Sequence, residues 1–145
     1  MYFTLHVDSS IERYGLAAVS NLGIVVRNRP IPKVLEDSGS TVKELFAIVD
    51  GLRYLLRYYK KLGVEIERVA IRSDSLSAIK FTKDAVKGVF SKKEVIKKLQ
   101  EEFKVESKGL VVGCKWVKGH VRNTKGNGAA KLNVLVDKVA ARRAH

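Results

Sequence analysis

The chain has little of what stabilises or anchors secreted and membrane proteins. Its 145 residues include one cysteine, Cys114, so no disulfide can form within the chain, and a lone thiol is typical of a reducing compartment. No apolar run approaches the length of about 20 residues that crosses a bilayer. The N-terminal sequence lacks the apolar core and cleavage site of a signal peptide. We therefore expect a cytoplasmic protein, with Cys114 as a small buried residue in a strand.

Acidic residues are also scarce. Fifteen Asp and Glu stand against 28 Lys and Arg, which gives a formal net charge of +13. From Lys115 to Arg143 there are eight basic residues and a single acid, Asp137. This excess favours a polyanionic partner such as nucleic acid, although lysine-rich surfaces also serve solubility or heat tolerance.

The length and composition predict one globular domain over residues 1–145, because 46% of the residues are hydrophobic and 30% are charged. Alternating apolar residues predict strands over 2–8, 14–20 and 23–29, the last two as an antiparallel hairpin. The two prolines, Pro30 and Pro32, then mark a loop. Helical spacing predicts a helix from Thr41 to about Lys61, with Ser40 or Thr41 as its N-cap. Further elements follow: a strand over 68–73, helices over 75–83 and 92–103, a strand over 110–117, a loop over 119–128 and a helix over 129–143.

This order predicts an α/β fold, a mixed sheet with helices on its faces. Asp8 and Asp74 each close an apolar run, and strands that are joined through helices run parallel, so the two carboxylates can meet at one edge of the sheet. Glu44 lies in the first turn of the long predicted helix and Asp137 inside the last one. Four such carboxylates are the oxygen ligands that hard divalent cations prefer.

Five local patterns, in the right order along nearly the whole chain, resemble those of the type 1 ribonucleases H and the wider ribonuclease H-like superfamily. The family patterns are Asp-Gly-Ser, Glu-Leu-x-Ala, Thr-Asp-Ser, Trp-Val-x-Gly-His and Asn-x-x-x-Asp-x-Leu-Ala. The matching segments here are Val7-Asp8-Ser9-Ser10, Glu44-Leu45-Phe46-Ala47, Ser73-Asp74-Ser75, Trp116-Val117-Lys118-Gly119-His120 and Asn133-Val134-Leu135-Val136-Asp137-Lys138-Val139-Ala140.

The resemblance implies a ribonuclease H-like fold, with three antiparallel strands followed by parallel ones in a five-stranded mixed sheet flanked by helices. It implies an endoribonuclease that hydrolyses the RNA strand of RNA/DNA hybrids with two Mg²⁺ or Mn²⁺ ions. We expect the chain to act as a monomer. The ions would be held by Asp8, Glu44, Asp74 and Asp137, with Asp8 bridging both. His120 would assist proton movement or product release. By the same resemblance, the residues expected to contact nucleic acid are Ser9, Ser10, Thr41, Ser75, Lys118 and Asn133.

The last carboxylate has two possible registers. In the family the Asn-x-x-x-Asp element follows the histidine after a few residues, whereas here Val121 to Leu132 separate His120 from Asn133. The alternative, Asn127 to Lys131, would put a lysine in the place of the carboxylate. We prefer Asn133 to Asp137, because it keeps Val139-Ala140 in place and leaves a longer basic loop between.

The chain also departs from the family in its substrate-binding parts. Ile11 to Gly15 replaces the family's glycine-rich segment, and no tryptophan-containing basic handle is visible. We expect Trp116 to pack in the core. Two other functions stay open: a related metal-dependent nuclease such as a junction resolvase, and a non-catalytic nucleic-acid-binding domain. Seven lysines can track DNA phosphates or form a plain solvated face: Lys80, Lys83, Lys87, Lys92, Lys93, Lys97 and Lys98.

Overall fold

The computed structural model describes residues 1–118, which form five strands and three α-helices. The strands are β1 (Tyr2–Ser9), β2 (Arg13–Ser20), β3 (Gly23–Pro30), β4 (Arg68–Ser73) and β5 (Val111–Trp116). The helices are α1 (Ser40–Lys61), α2 (Leu76–Lys87) and α3 (Glu94–Glu106), with a short 3₁₀ turn at Lys33–Leu35 before α1.

The strands form one sheet in the order β3-β2-β1-β4-β5. β1, β2 and β3 pair antiparallel, and β4 and β5 join parallel to β1. The five-stranded mixed sheet that the resemblance implied is thus confirmed. Since β1 and β4 are parallel neighbours, with His6 opposite Arg72, their carboxyl ends lie side by side at one edge of the sheet.

The core lies between the sheet and α1, and buried residues of α2 and α3 complete it. Alternate residues of β1, namely Phe3, Leu5 and Val7, are fully buried, as the two-residue period of a strand requires. α1 approaches β1 closely at Gly51, where an added Cβ would lie 3.2 Å from Cγ1 of Val7. This close approach fixes the height of α1 above β1, so the start of α1 is held near the carboxyl end of that strand.

The predicted elements within residues 1–118 are all present, and the differences concern their ends. α1 begins at Ser40 with Gly39 in the N-cap position and no side-chain cap, so the prediction that Ser40 or Thr41 caps this helix is wrong. The hydroxyl of Thr41 instead lies 2.7 Å from that of Ser77 at the start of α2. α2 continues to Lys87 and ends at Gly88, whose φ of 80° is in the left-handed region. The predicted loop over 119–128 and helix over 129–143 lie outside the described residues.

Within residues 1–118, no helix combines the length and the apolar character needed to cross a membrane. Cys114 lies in β5, partly buried against the core. The prediction of a small residue in a strand is therefore confirmed, while its burial is only partial.

The Cys114 thiol offers a test of this packing in solution. Burial raises its pKa from the ordinary 9 to about 11, against a smaller opposing effect of Lys83. At pH 8 the native chain then holds about a hundredfold less thiolate than the unfolded chain. We expect iodoacetamide to alkylate the native protein about a hundredfold more slowly than the protein in urea. The rate for the native protein should keep rising with pH towards 11, whereas the rate for the unfolded protein levels off above pH 9.

Cys114 is the single cysteine of the chain, so all thiol alkylation reports on this residue. The variant Cys114→Ser is the control, since it should show no alkylation of a thiol. Equal alkylation rates for native and unfolded protein at pH 8 would contradict the packing of β5 against the core.

Candidate metal centre

Three acidic side chains meet at the edge of the sheet where β1 and β4 end. Asp8 is the penultimate residue of β1 and Asp74 directly follows β4. Glu44 comes from α1, one turn into the helix rather than in its first turn as the sequence predicted, because α1 begins at Ser40. The structure therefore brings together three of the four predicted carboxylates.

The geometry of the three carboxylates suits a cation. One oxygen from each of Asp8, Glu44 and Asp74 lies within 4.8 Å of the other two. Asp8 and Glu44 are buried, at 5% and 2% exposure, while Asp74 is half-buried and open to solvent. Carboxylate oxygens at this spacing are suitable ligands for a hard divalent ion. The three residues can thus hold a divalent cation with one side accessible.

Glu44 is held in place by hydrogen bonds to both of its oxygens. The backbone N–H of Ser9 donates to Oε1 at 2.8 Å, and the buried hydroxyl of Ser73 donates to Oε2. Burial nevertheless raises the pKa of Glu44, and the negative charge of Asp74 raises it further, while the two hydrogen bonds oppose the shift. A cation between these carboxylates would relieve that repulsion, so the donor set fits a divalent ion.

Ser73 is a residue whose role the sequence did not reveal. Its Oγ donates to Glu44 and accepts from the backbone N–H of Ser75 at 3.1 Å. It is fully buried, and it is the last residue of β4. The signal in the sequence was a serine at the end of a predicted buried strand, directly before the candidate ligand Asp74. A buried hydroxyl needs a hydrogen-bond partner, and a neighbouring carboxylate is the obvious one.

We expect Ser73→Ala to weaken Mn²⁺ binding about ten- to hundredfold, as is usual when the partner of a ligand is removed. The substitution leaves Oε2 of Glu44 buried without its donor and frees the carboxylate to rotate. The measurement is titration calorimetry with Mn²⁺ on both proteins. Ser73→Thr is the matched control, since it keeps the hydroxyl and is expected to bind Mn²⁺ like the wild type. Unchanged affinity in Ser73→Ala would rule out the positioning role.

Trp116 does not pack in the core as predicted, because 44% of it is exposed. It ends β5, which is an edge strand, beside the carboxyl end of β4. Its indole N–H donates to the backbone carbonyl of Asp74 at 2.9 Å. The tryptophan therefore helps to fix the main chain at Asp74. Its hydrophobicity alone could not predict this hydrogen bond.

The predicted nucleic-acid contacts are distributed around the carboxylates. Ser9 follows Asp8, and the Ser10 hydroxyl donates to the carbonyl of Arg13 at 3.0 Å in the turn after β1. Ser75 caps α2 by accepting from the backbone N–H of Ala78 at 3.2 Å. Lys118 is exposed, and so are the seven lysines that the sequence marks as possible phosphate contacts, Lys80, Lys83, Lys87, Lys92, Lys93, Lys97 and Lys98. His120, Asn133, Asp137 and the alternative Lys131 lie outside the described residues.

Comparisons with known proteins agree with this arrangement. The sequence model of the family described as RNase H matches residues 2–144. The comparison with curated protein sequences found no match.

Several solved structures share the fold at low sequence identity. RNase H1 from the halophilic archaeon Halobacterium salinarum NRC-1 has a TM-score of 0.60 at 14% identity, over 81% of this chain and 86% of its own. The N-terminal RNase H domain of a Mycobacterium tuberculosis protein, solved as a fusion with maltose binding protein, has a TM-score of 0.60 at 18% identity, over 97% and 99%. LC11-RNase H1 in complex with an RNA/DNA hybrid has a TM-score of 0.59 at 16% identity, over 94% and 96%.

Proposed function

The chain belongs to the RNase H family and is a ribonuclease H, and we propose that it cleaves the RNA strand of RNA/DNA hybrids at the carboxylates Asp8, Glu44, Asp74 and Asp137. The observation that carries the proposal is the convergence of Asp8, Glu44 and Asp74 within 4.8 Å at one edge of the sheet. The family match spans these three residues and Asp137 alike.

Two Mg²⁺ or Mn²⁺ ions bound at this site would lower the pKa of an attacking water and stabilise the departing 3′ oxygen. The part played by the protein is to place its carboxylates. Asp8, which is buried like Glu44, would hold the ions together with it, and Asp74 would present its half-buried carboxylate to the open side. Glu44 is fixed by Ser9 and Ser73, so it can keep one orientation while the substrate binds.

The choice of an RNA/DNA hybrid as substrate rests on three observations. Members of this family act on the RNA of hybrids, and LC11-RNase H1, which shares the fold, has been solved with such a hybrid. The net charge of +13 favours a polyanion. Glu44 lies next to Ser9 at the edge of the sheet, and this edge would face the 2′-hydroxyl side of the substrate, the group that distinguishes RNA from DNA.

Other predictions complete the proposal. His120 would assist proton movement or product release, since a histidine side chain titrates near neutral pH. The chain would act as a single domain over residues 1–145, as a monomer and in the cytoplasm. The residues proposed to contact the hybrid are Ser9, Ser10, Thr41, Ser75, Lys118 and Asn133.

The test is cleavage of three labelled duplexes in Mg²⁺ or Mn²⁺: an RNA/DNA hybrid, a double-stranded RNA and a branched DNA. We expect cleavage of the hybrid alone, in its RNA strand, and no cleavage in EDTA. Cleavage of the branched DNA in preference to the hybrid would favour a junction resolvase. Absence of cleavage together with absence of Mn²⁺ binding would favour a non-catalytic nucleic-acid-binding domain.

A further inference from the structure

A basic cleft lies between α1 and the edge strand β3, apart from the carboxylates. Its volume is about 290 Å³, near the lower end of the range for ligand pockets. α1 contributes residues at helical spacing along one face, and β3 contributes Arg29, the penultimate residue of that strand. The residues that define the basic cleft are Arg29, Asp50, Tyr54, Arg57, Tyr58 and Lys61.

Two arginines of β3 are held against two tyrosines of α1. The guanidinium of Arg29 lies 4.8 Å from the ring centre of Tyr54, and that of Arg27 lies 5.6 Å from the ring centre of Tyr58. Nε of Arg27 also donates to the hydroxyl of Tyr54 at 2.9 Å. The tyrosines themselves stack, with ring centres 6.0 Å apart and planes 22° apart. Both guanidinium groups are thus oriented before any ligand binds.

The acids in and near the basic cleft are already engaged. Asp50 accepts from Nε of Arg29 at 3.0 Å and from the hydroxyl of Tyr14. Arg53, which also borders the basic cleft, pairs with Glu106 at 2.8 Å and lies 4.0 Å from Glu102 and from Asp50. These contacts neutralise Arg29 and Arg53.

Three further cations have no such compensation. Arg27, Arg57 and Lys61 are exposed, and none of them forms an ion pair within residues 1–118. The basic cleft therefore carries an excess positive charge beside two aromatic rings. A positively charged groove that also presents aromatic side chains is the arrangement that binds single-stranded nucleic acid.

The basic cleft starts close to the carboxylates and leads away from them. Arg29 of β3 pairs with Tyr14 of β2, which pairs with Ser9 of β1. Arg29 is therefore two strand spacings, about 10 Å, from Ser9, the residue after Asp8. α1 then runs from Glu44 to Lys61, about 26 Å at 1.5 Å per residue. A strand passing the carboxylates reaches the end of the basic cleft within about eight nucleotides at 3.4 Å each.

We propose that the basic cleft binds the backbone phosphates of a single strand that extends from the hybrid beyond the cleavage segment. The proposal rests on the proposed function for the location of the hybrid. Arg57 and Lys61 lie one helical turn apart on α1, and Arg27 of β3 lies against the ring of Tyr58 on the same helix, so successive phosphates of one strand can meet these cations in turn. The hybrid itself would then be held at the carboxylates, and its overhang in the basic cleft.

The test compares a blunt hybrid of 12 base pairs, about 41 Å at 3.4 Å per pair, with tailed hybrids. Each tailed hybrid carries a single-stranded tail of about ten nucleotides, placed in turn on the 5′ or the 3′ end of the RNA or the DNA strand. Binding is measured by fluorescence anisotropy in EDTA, and cleavage separately in Mg²⁺. The cleft variant is Arg57→Gln with Lys61→Gln, because both side chains are exposed. The matched control is Lys60→Gln with Lys108→Gln, which makes the same change in charge at exposed positions outside the basic cleft.

We expect at least one tail to tighten wild-type binding roughly tenfold or more at 0.1 M salt, and the cleft variant to lose this gain. The salt dependence of the gain should fall by roughly 1.4 in log–log slope, as for two lost contacts to a single strand. The control variant should keep the gain. All three proteins should bind and cleave the blunt hybrid alike, which separates this proposal from the proposed function.

Three results would overturn the proposal: no tail tightens wild-type binding, the gain survives in the cleft variant, or the control variant loses as much as the cleft variant. If the blunt hybrid is cleaved in any of these cases, the proposed function stands while the basic cleft is no binding site.

Discussion

Replacing Asp8 by asparagine is expected to lower the rate of hybrid cleavage by at least about a thousandfold, while hybrid binding stays within a few-fold of wild type. Asp8 is 5% exposed and one of its oxygens lies within 4.8 Å of oxygens from both Glu44 and Asp74. Asparagine keeps the shape but removes the negative charge that a metal ligand supplies. A loss of about 4 kcal/mol of transition-state stabilisation corresponds to this factor.

The affinity for the hybrid should persist because it comes mainly from lysine and arginine contacts with phosphates. Rates are measured with a labelled hybrid in Mg²⁺ and in Mn²⁺, and affinity by anisotropy in EDTA. Asp37→Asn is the matched control, since it makes the same chemical change at an exposed position in the loop before α1. Cleavage at a wild-type rate in Asp8→Asn would exclude the carboxylate cluster as the catalytic site.

The sequence predicts the part of the site that depends on strand order. Asp8 and Asp74 close apolar runs, and the crossover rule makes their strands parallel, so their meeting follows from local patterns alone. The role of Glu44 as a ligand was predicted from the resemblance, and its position beside Asp8 depends on where α1 begins. The start of the helix was predicted one residue late, at Thr41 instead of Ser40, and this did not matter, because α1 packs closely on β1 further along, at Gly51.

The parts that the sequence did not predict depend on contacts between distant elements. Trp116 reads as a core residue by its hydrophobicity, but its indole N–H meets the carbonyl of Asp74 at the edge of the sheet. In the sequence Ser73 is only part of the Ser73-Asp74-Ser75 pattern, and the hydrogen bond from its hydroxyl to Glu44 is visible only in the structure. The basic cleft joins Arg27 and Arg29 of β3 to tyrosines of α1, 25 or more residues later in the chain. No local pattern links those positions.

The second large effect concerns the fourth carboxylate, for which the charge of the site favours one of the two registers. Asp8, Glu44 and Asp74 supply three negative charges, whereas two divalent ions bring four positive ones. A carboxylate from Asp137 balances them, while a lysine from the alternative register would add repulsion. We therefore expect Asp137→Asn to lower the cleavage rate about a hundredfold or more, as Asp74→Asn should, with little change in hybrid affinity.

Lys131→Gln separates the two registers, because the lysine would stand at the site in only one of them. With Asn133 to Asp137 in register, Lys131→Gln should leave the cleavage rate within about twofold of wild type, since a lysine that does not stand among the carboxylates contributes little. In the other register, removing the lysine would change both the rate and the Mn²⁺ affinity, and Asp137→Asn would cleave normally. Rates for Asp74→Asn, Asp137→Asn and Lys131→Gln on one hybrid, with calorimetric Mn²⁺ titrations beside them, distinguish the two patterns. A loss in Asp74→Asn alone would make Asp137 a bystander and leave the site with three carboxylates.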